Sequence, residues 1–176
     1  METSKANSTN LSAKWAVIYI VTSIVITYVF QLLNLDQASP IKYLSYIPFI
    51  AFLFLAQKEY KDKLGGFLKF GEGFMTGFIY SVIAGVFLAI FTYFYLTFLS
   101  PQIFEQAMAS QEAKMSAQNV SPEQAEKAME IARKYGTILG AVGILFLTPI
   151  CGAIISLIGA AIFKRERTAE DVEGQH

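Results

Sequence analysis

Carboxylate pairs are the first residues in this chain that could do chemistry. Glu123 stands three positions before Glu126, and Asp62 and Glu72 flank a glycine-rich connection, so either pair could be arranged as a general acid and a general base. Both pairs sit in polar sequence, where helix capping and solvation account for them without a substrate. His176 is the only histidine and Cys151 the only cysteine, which argues against a His/Cys zinc set, a Ser-His-Asp relay and an internal disulfide. Gly71-Glu72-Gly73 lacks the preceding strand and the Gly-Lys-Ser/Thr ending of a phosphate loop. These residues predict no catalytic site, no metal site and no cofactor, and hence a protein that is not an enzyme.

The elements that would have to carry any site are apolar. Four stretches, Trp15 to Leu33, Ile41 to Ala56, Phe74 to Leu99 and Thr137 to Phe163, contain no Asp, Glu, Lys, Arg or His apart from Lys42 at the start of the second. About 20 apolar residues cross a hydrocarbon core as a helix. Three stretches meet that length, and the second, which already includes Tyr43 and Tyr46, is only slightly short. The expected fold is all-α: one polytopic membrane domain over residues 1–176, with spans near 13–33, 41–57, 73–99 and 137–163. At 176 residues and 54% hydrophobic the chain has room for no separate soluble domain. Lys and Arg total 14, balanced by 14 Asp and Glu; with no basic face, nucleic acid is not an expected partner, whereas membrane lipids are. The first apolar run is too long for a signal core and has no small-x-small site directly behind a short core, so it reads as a retained span.

Lys and Arg near the span ends predict the orientation. Lys58, Lys61, Lys63 and Lys69 lie in one short connection and Lys164, Arg165 and Arg167 follow the last span; with Lys5 and Lys14 they place nine basic residues on the cytoplasmic side against five outside. Both termini are then cytoplasmic. Asp36 and Pro40 suit a tight outer turn between the first two spans.

Two connections carry more information. In LGGFLKFGEGF, Gly65 and Gly66 supply backbone freedom, Phe67, Phe70 and Phe74 can enter the apolar boundary, and Lys69 can reach headgroups. Residues 100–136 form the one sizeable polar segment, predicted as a helical outer excursion. Pro101 and Pro122 each suit a first helical position, and Ser121 with Gln124 fits a capping box. Met108, Met115, Met129, Ile131 and Tyr135 are available to cover the bundle, to meet an envelope protein partner or to rest against lipid.

Within the spans, association depends on close fit. Gly136 with Gly140, and Gly152, Ser156 and Ala160, form small-residue steps on the fourth span, with Gly143 and Gly159 nearby; Gly73, Gly77, Ala84, Gly85 and Ala89 do the same on the third. Internal packing of spans three and four is expected first and a homo-oligomer second. Pro48 and Pro149 should bend their helices, and Thr148 can occupy part of the carbonyl system freed at Pro149. Gly140, Gly143, Thr148, Pro149, Gly152 and Ser156 are therefore the candidates for a packing seam or a gate. Uncharged spans favour a scaffold or accessory subunit; a small oligomeric transporter or channel is the alternative.

The segment KDKLGGFLKFGEGFMTGF, a long third span ending in YFYLTFLSP, the Met- and Glu-bearing excursion and the glycine-rich last span together resemble the bacterial membrane proteins grouped as domain of unknown function 4199. The resemblance covers nearly the whole chain and emphasises Gly65, Phe70, Gly71, Phe74, Gly77 and Pro101. It implies a multi-pass protein of the bacterial inner membrane. It brings no substrate and no catalytic residue.

Overall fold

The computed structural model describes residues 7–33 and 46–166. The first hairpin with Asp36 and Pro40, the opening of the second predicted span at 41–45, and Lys5, Lys42, Arg167 and His176 lie outside the described residues. Among those described, the regular elements are helices: α1 (Ser8–Leu32), α2 (Tyr46–Lys63), α3 (Phe70–Phe94) continued by a π-helical turn (Tyr95–Leu99), α4 (Pro101–Ala117) and α5 (Pro122–Phe163).

Local chemistry explains where these helices start and stop. The Asn7 side chain accepts from the Thr9 amide at 3.0 Å, satisfying a donor that an α-helix leaves unpaired at its first turn. At the end of α2, Gly65 has φ of 76° and Gly66 of 87°. The Gly66 amide reaches the Lys61 carbonyl and the Gly65 amide that of Asp62, closing a Schellman turn in a left-handed conformation that suits glycine. Asn119 does the same after α4 with φ of 54°, its neighbour Val120 donating to the Met115 carbonyl. The Ser100 amide donates to the Tyr95 carbonyl at 2.8 Å, a five-residue step that closes the π-helical turn just before Pro101.

Three helices are long and apolar enough to cross a membrane: α1, α3 with its π-helical turn, and α5. Many of their large side chains face outward; Val17, Val21 and Val25 on α1 and Phe146, Ile150 and Ile154 on α5 are each more than half exposed. Stripes of that kind are stable against lipid rather than water. The chain is a membrane-embedded protein. Of the second expected span the described residues cover Tyr46 to Ala56, about 16 Å of apolar helix at 1.5 Å per residue, before α2 continues through Lys58, Glu59, Lys61, Asp62 and Lys63. A hydrocarbon core is about 30 Å thick. Among the described residues three helices meet that thickness, and the start of the second expected span at 41–45 lies outside them.

α5 runs unbroken for 42 residues through Gly136, so the second helix of the expected excursion and the last expected span form one helix. At Gly136 the Phe104 ring of α4 packs close, 3.1 Å from where a Cβ would stand.

The chain divides into two units. One comprises the chain up to Gly85 and from Thr148 onward, and the other Val86–Leu147. In the first, α1, α2, the opening of α3 and the end of α5 enclose Ala16, Leu53, Ala56, Tyr80, Ala84 and Ala160, all fully buried. In the second, Ala89, Tyr95 and Met129 are the buried hydrophobic residues.

Candidate functional site

In the first unit, α3 and α5 meet through an antiparallel ladder of small residues. A Cβ added to Gly73 would stand 3.3 Å from Ala160, one on Gly77 would overlap Ser156, one on Gly152 would overlap Ser81, and one on Gly85 would stand 3.2 Å from both Thr148 and Pro149. Each rung advances four residues along α3 and retreats about four along α5, so one helical face of each is spent on the other. Among the residues singled out in the sequence, Thr148, Pro149, Gly152, Ser156 and Gly77 come together here. Gly140 and Gly143 do not: nothing lies within 4 Å of a Cβ at either position.

The ladder brings backbones close enough for a buried amide to join three helices. Gln57 of α2 is fully buried. Its Nε2 donates to the Gly73 carbonyl at 2.9 Å and to the Ser156 carbonyl and Oγ at 3.0 Å each, and Ser156 Oγ donates onward to the Phe74 carbonyl at 2.8 Å. This arrangement sets the orientation of the amide, because rotating it would point Oε1 at two carbonyl oxygens. Gln57 Oε1 is left without a hydrogen-bond partner, pressed against Gly159 where any side chain would overlap it. Further along, Ser12 Oγ bridges the Ser8 carbonyl of its own helix and the Thr76 carbonyl at 2.7 Å, tying α1 to α3. Tyr80 donates its hydroxyl to the Phe49 carbonyl at 3.1 Å, and Tyr19, Phe49 and Tyr80 pack with ring centroids 5.3 to 6.1 Å apart.

At the charged end of α2, Glu59 gathers three partners. Lys14 pairs with its Oε2, Trp15 Nε1 donates to the same oxygen at 2.7 Å, and Lys63 approaches Oε1 at 3.4 Å. The Lys14 hydrogen bond holds the Glu59 carboxyl below the usual carboxylate range, with burial opposing it. Trp15 also stacks on Phe52 at 5.7 Å. These contacts fasten α1 to α2.

Gly65, Phe70, Gly71 and Phe74 mark the α2–α3 connection. Gly65 forms the left-handed cap; Phe70 is partly exposed and Gly71 faces open space. Phe74 stacks on Phe78 at 5.8 Å while its carbonyl receives Ser156. Leu68 and Arg165 exchange both backbone hydrogen bonds, at 2.8 and 2.9 Å, joining this connection to the end of α5.

In the second unit, α4 and the first turns of α5 form a hairpin. Met129 is buried, Met108 and Met115 are half-buried, and Tyr135 is exposed beneath Lys134, whose Nζ lies 5.2 Å from the ring centre. Arg133 pairs with Glu105 at 3.1 Å across the two helices. Glu123 pairs with Lys127 at 3.0 Å, a use of that carboxylate in helix surface pairing.

No set of three His, Cys, Asp or Glu side chains among the described residues could hold a metal ion. What unites the first unit is interhelical bonding, and all the residues concerned except Ser8 and Ser12 lie inside one matched region. A model of the family described as protein of unknown function DUF4199 matches residues 14–165. The chain belongs to the DUF4199 family. No curated protein and no solved structure matches it. The family match takes in the Gln57 clamp, the small-residue ladder, the Leu68–Arg165 bridge and the whole hairpin. Sequence reasoning named Ser156 and Gly77 but passed over Gln57, Ser12, Thr76, Tyr80 and Glu59. A helical signal for Gln57 was present: Phe49, Leu53, Ala56 and Tyr60 share its face at steps of three and four.

Proposed function

We propose that this DUF4199 protein is a non-enzymatic scaffold or accessory subunit of the bacterial inner membrane, anchored by its clamped helices and meeting an envelope partner through residues 100–136. The observation that carries this reading is the continuity of α5, which bears Ser156 of the clamp and Met129 of the hairpin in one helix. Its 42 residues amount to about 63 Å of helix path, twice the hydrocarbon thickness of about 30 Å. The turns bearing Glu123, Glu126, Lys127, Glu130, Arg133 and Lys134 therefore belong outside the lipid. Ile131 and Tyr135, both exposed, give those turns an apolar contact surface. The basic-residue bias supports four passes with cytoplasmic termini and the hairpin outside.

The test is partner capture after native extraction, comparing intact protein with a chain in which Gln102 to Tyr135 is replaced by a short polar linker. Loss of one specific companion with the linker supports the scaffold. An unchanged companion profile together with solute flux in reconstituted vesicles supports the second reading, an oligomeric transporter gated near Thr148 and Pro149. That reading draws on the proline inside α5 packed against Gly85.

A further inference from the structure

The Leu68–Arg165 bridge builds a cleft of about 450 Å³ at the junction of α2, α3 and the end of α5. Its apolar wall is Leu64, Phe67 and Leu68, the last almost wholly buried in a small cluster with Leu11 and Tyr60. Its polar rim has both signs of charge: Lys69 and Arg165 as cations, Glu72 and Glu166 as anions. The Arg165 guanidinium carbon lies 5.2 Å from the centre of the Phe67 ring, which orients it. Glu72 accepts the Lys69 amide at 3.2 Å, and Glu166 pairs with Lys164 at 3.2 Å. Each carboxylate has remaining lone pairs able to accept further donors.

Depth decides what can enter. Two apolar helices end at this cleft, α3 beginning at Phe70 and α5 stopping at Phe163, so it lies where hydrocarbon gives way to headgroups. We infer that it binds the headgroup of a zwitterionic phospholipid with a primary ammonium, a phosphatidylethanolamine. The phosphate lies against Lys69 and Arg165, the ammonium donates to Glu72 and Glu166, and an acyl chain leaves along Leu64 and Phe67. An anionic headgroup without an ammonium leaves both carboxylates facing the phosphate unbalanced. A trimethylammonium headgroup has no N–H to donate. The cleft residues belong to the first unit and the hairpin residues to the second, so the occupancy of the cleft and the scaffold reading stand or fall independently.

The experiment is native mass spectrometry of the purified full chain in micelles containing phosphatidylethanolamine, phosphatidylglycerol or phosphatidylcholine. One saturable phosphatidylethanolamine adduct is expected, retained about tenfold better than the other two, the factor set by about 1.4 kcal/mol for a lost charge-assisted hydrogen bond. Glu72→Gln combined with Glu166→Gln should erase that preference. Lys69→Gln should weaken phosphatidylethanolamine and phosphatidylglycerol alike. All four positions in the rim are exposed, and unchanged helix content by circular dichroism verifies folding of the variants. Equal retention of phosphatidylethanolamine and phosphatidylglycerol by the unmodified protein, or a preference that the double carboxylate variant keeps, overturns the assignment. Soluble glycerophosphoethanolamine binding as tightly as the lipid also overturns it, because the apolar wall would then contribute nothing.

Discussion

Gln57 Nε2 lies 3.0 Å from both the carbonyl and the hydroxyl oxygen of Ser156, a residue 99 positions later in the chain. The contact is possible because Gly77 and Gly159 leave no side chain where Ser156 Oγ and Gln57 Oε1 stand. A buried amide with one acceptor unpaired is a costly way to join helices, and its cost divides unequally between its two atoms.

That division predicts an order among Gln57 variants. Gln57→Met removes the unpaired acceptor together with the donors at similar volume and should cost less than about 1.5 kcal/mol, in line with interhelical bonds in lipid averaging about 0.6 kcal/mol. Gln57→Glu sets a carboxyl against two carbonyls and should cost more than about 3 kcal/mol. Unfolding by dodecyl sulfate in mixed micelles measures both. A glutamate variant as stable as the methionine variant would show that the amide donors do not hold the three helices.

The glycines of α3 and α5 should separate into two classes. Gly77→Ala and Gly152→Ala force a methyl into Ser156 or Ser81 and should lose about 1–3 kcal/mol through overpacking. Gly140→Ala and Gly143→Ala meet open space and should gain up to about 1 kcal/mol of helix propensity. The same titration ranks them, and losses at Gly140 matching those at Gly152 would place a second chain against the open face.

Acid should loosen α1 from α2 through Glu59. Its carboxyl is held below the ordinary range, first by the hydrogen bond from Lys14. A depressed folded value means that its stabilisation is complete above the unfolded carboxylate value of about 4.3 and is lost as pH falls through the lower folded value. Fluorescence of Trp15, the single tryptophan and a donor to Glu59, should change over that acidic window. Glu59→Gln should flatten the change; an identical profile in that variant would assign it to another group.

Compartment labelling tests the proposed orientation. Cys151 is exposed, so Cys151→Ala provides a background at little cost. On it, Ser110→Cys should react with an impermeant thiol reagent from the outside of intact cells, and Lys61→Cys only after permeabilisation. The opposite pattern would invert the topology.

The sequence by itself determined the solvent of this protein and the ends of its helices. Uncharged apolar runs long enough to cross lipid depend on residue type alone, and the prolines at 101 and 122 place helix starts through the backbone chemistry of a single residue. Gly65 was legible for the same reason, since its left-handed φ answers to a local turn. Only the tertiary structure decided which small residues meet. Gly140 and Gly152 are indistinguishable as one-dimensional signals, and just one of them faces a neighbour, because register between α3 and α5 is set by side chains on both helices at once. Gln57 was hidden more deeply. At the edge of an apolar run followed by charges it reads as the end of a helix in water, and its burial follows from Gly73, Ser156 and Gly159 arriving from two other helices. A pairing between residues so far apart in sequence leaves no local trace, since each partner's chemistry is satisfied equally well by water until the helices pack.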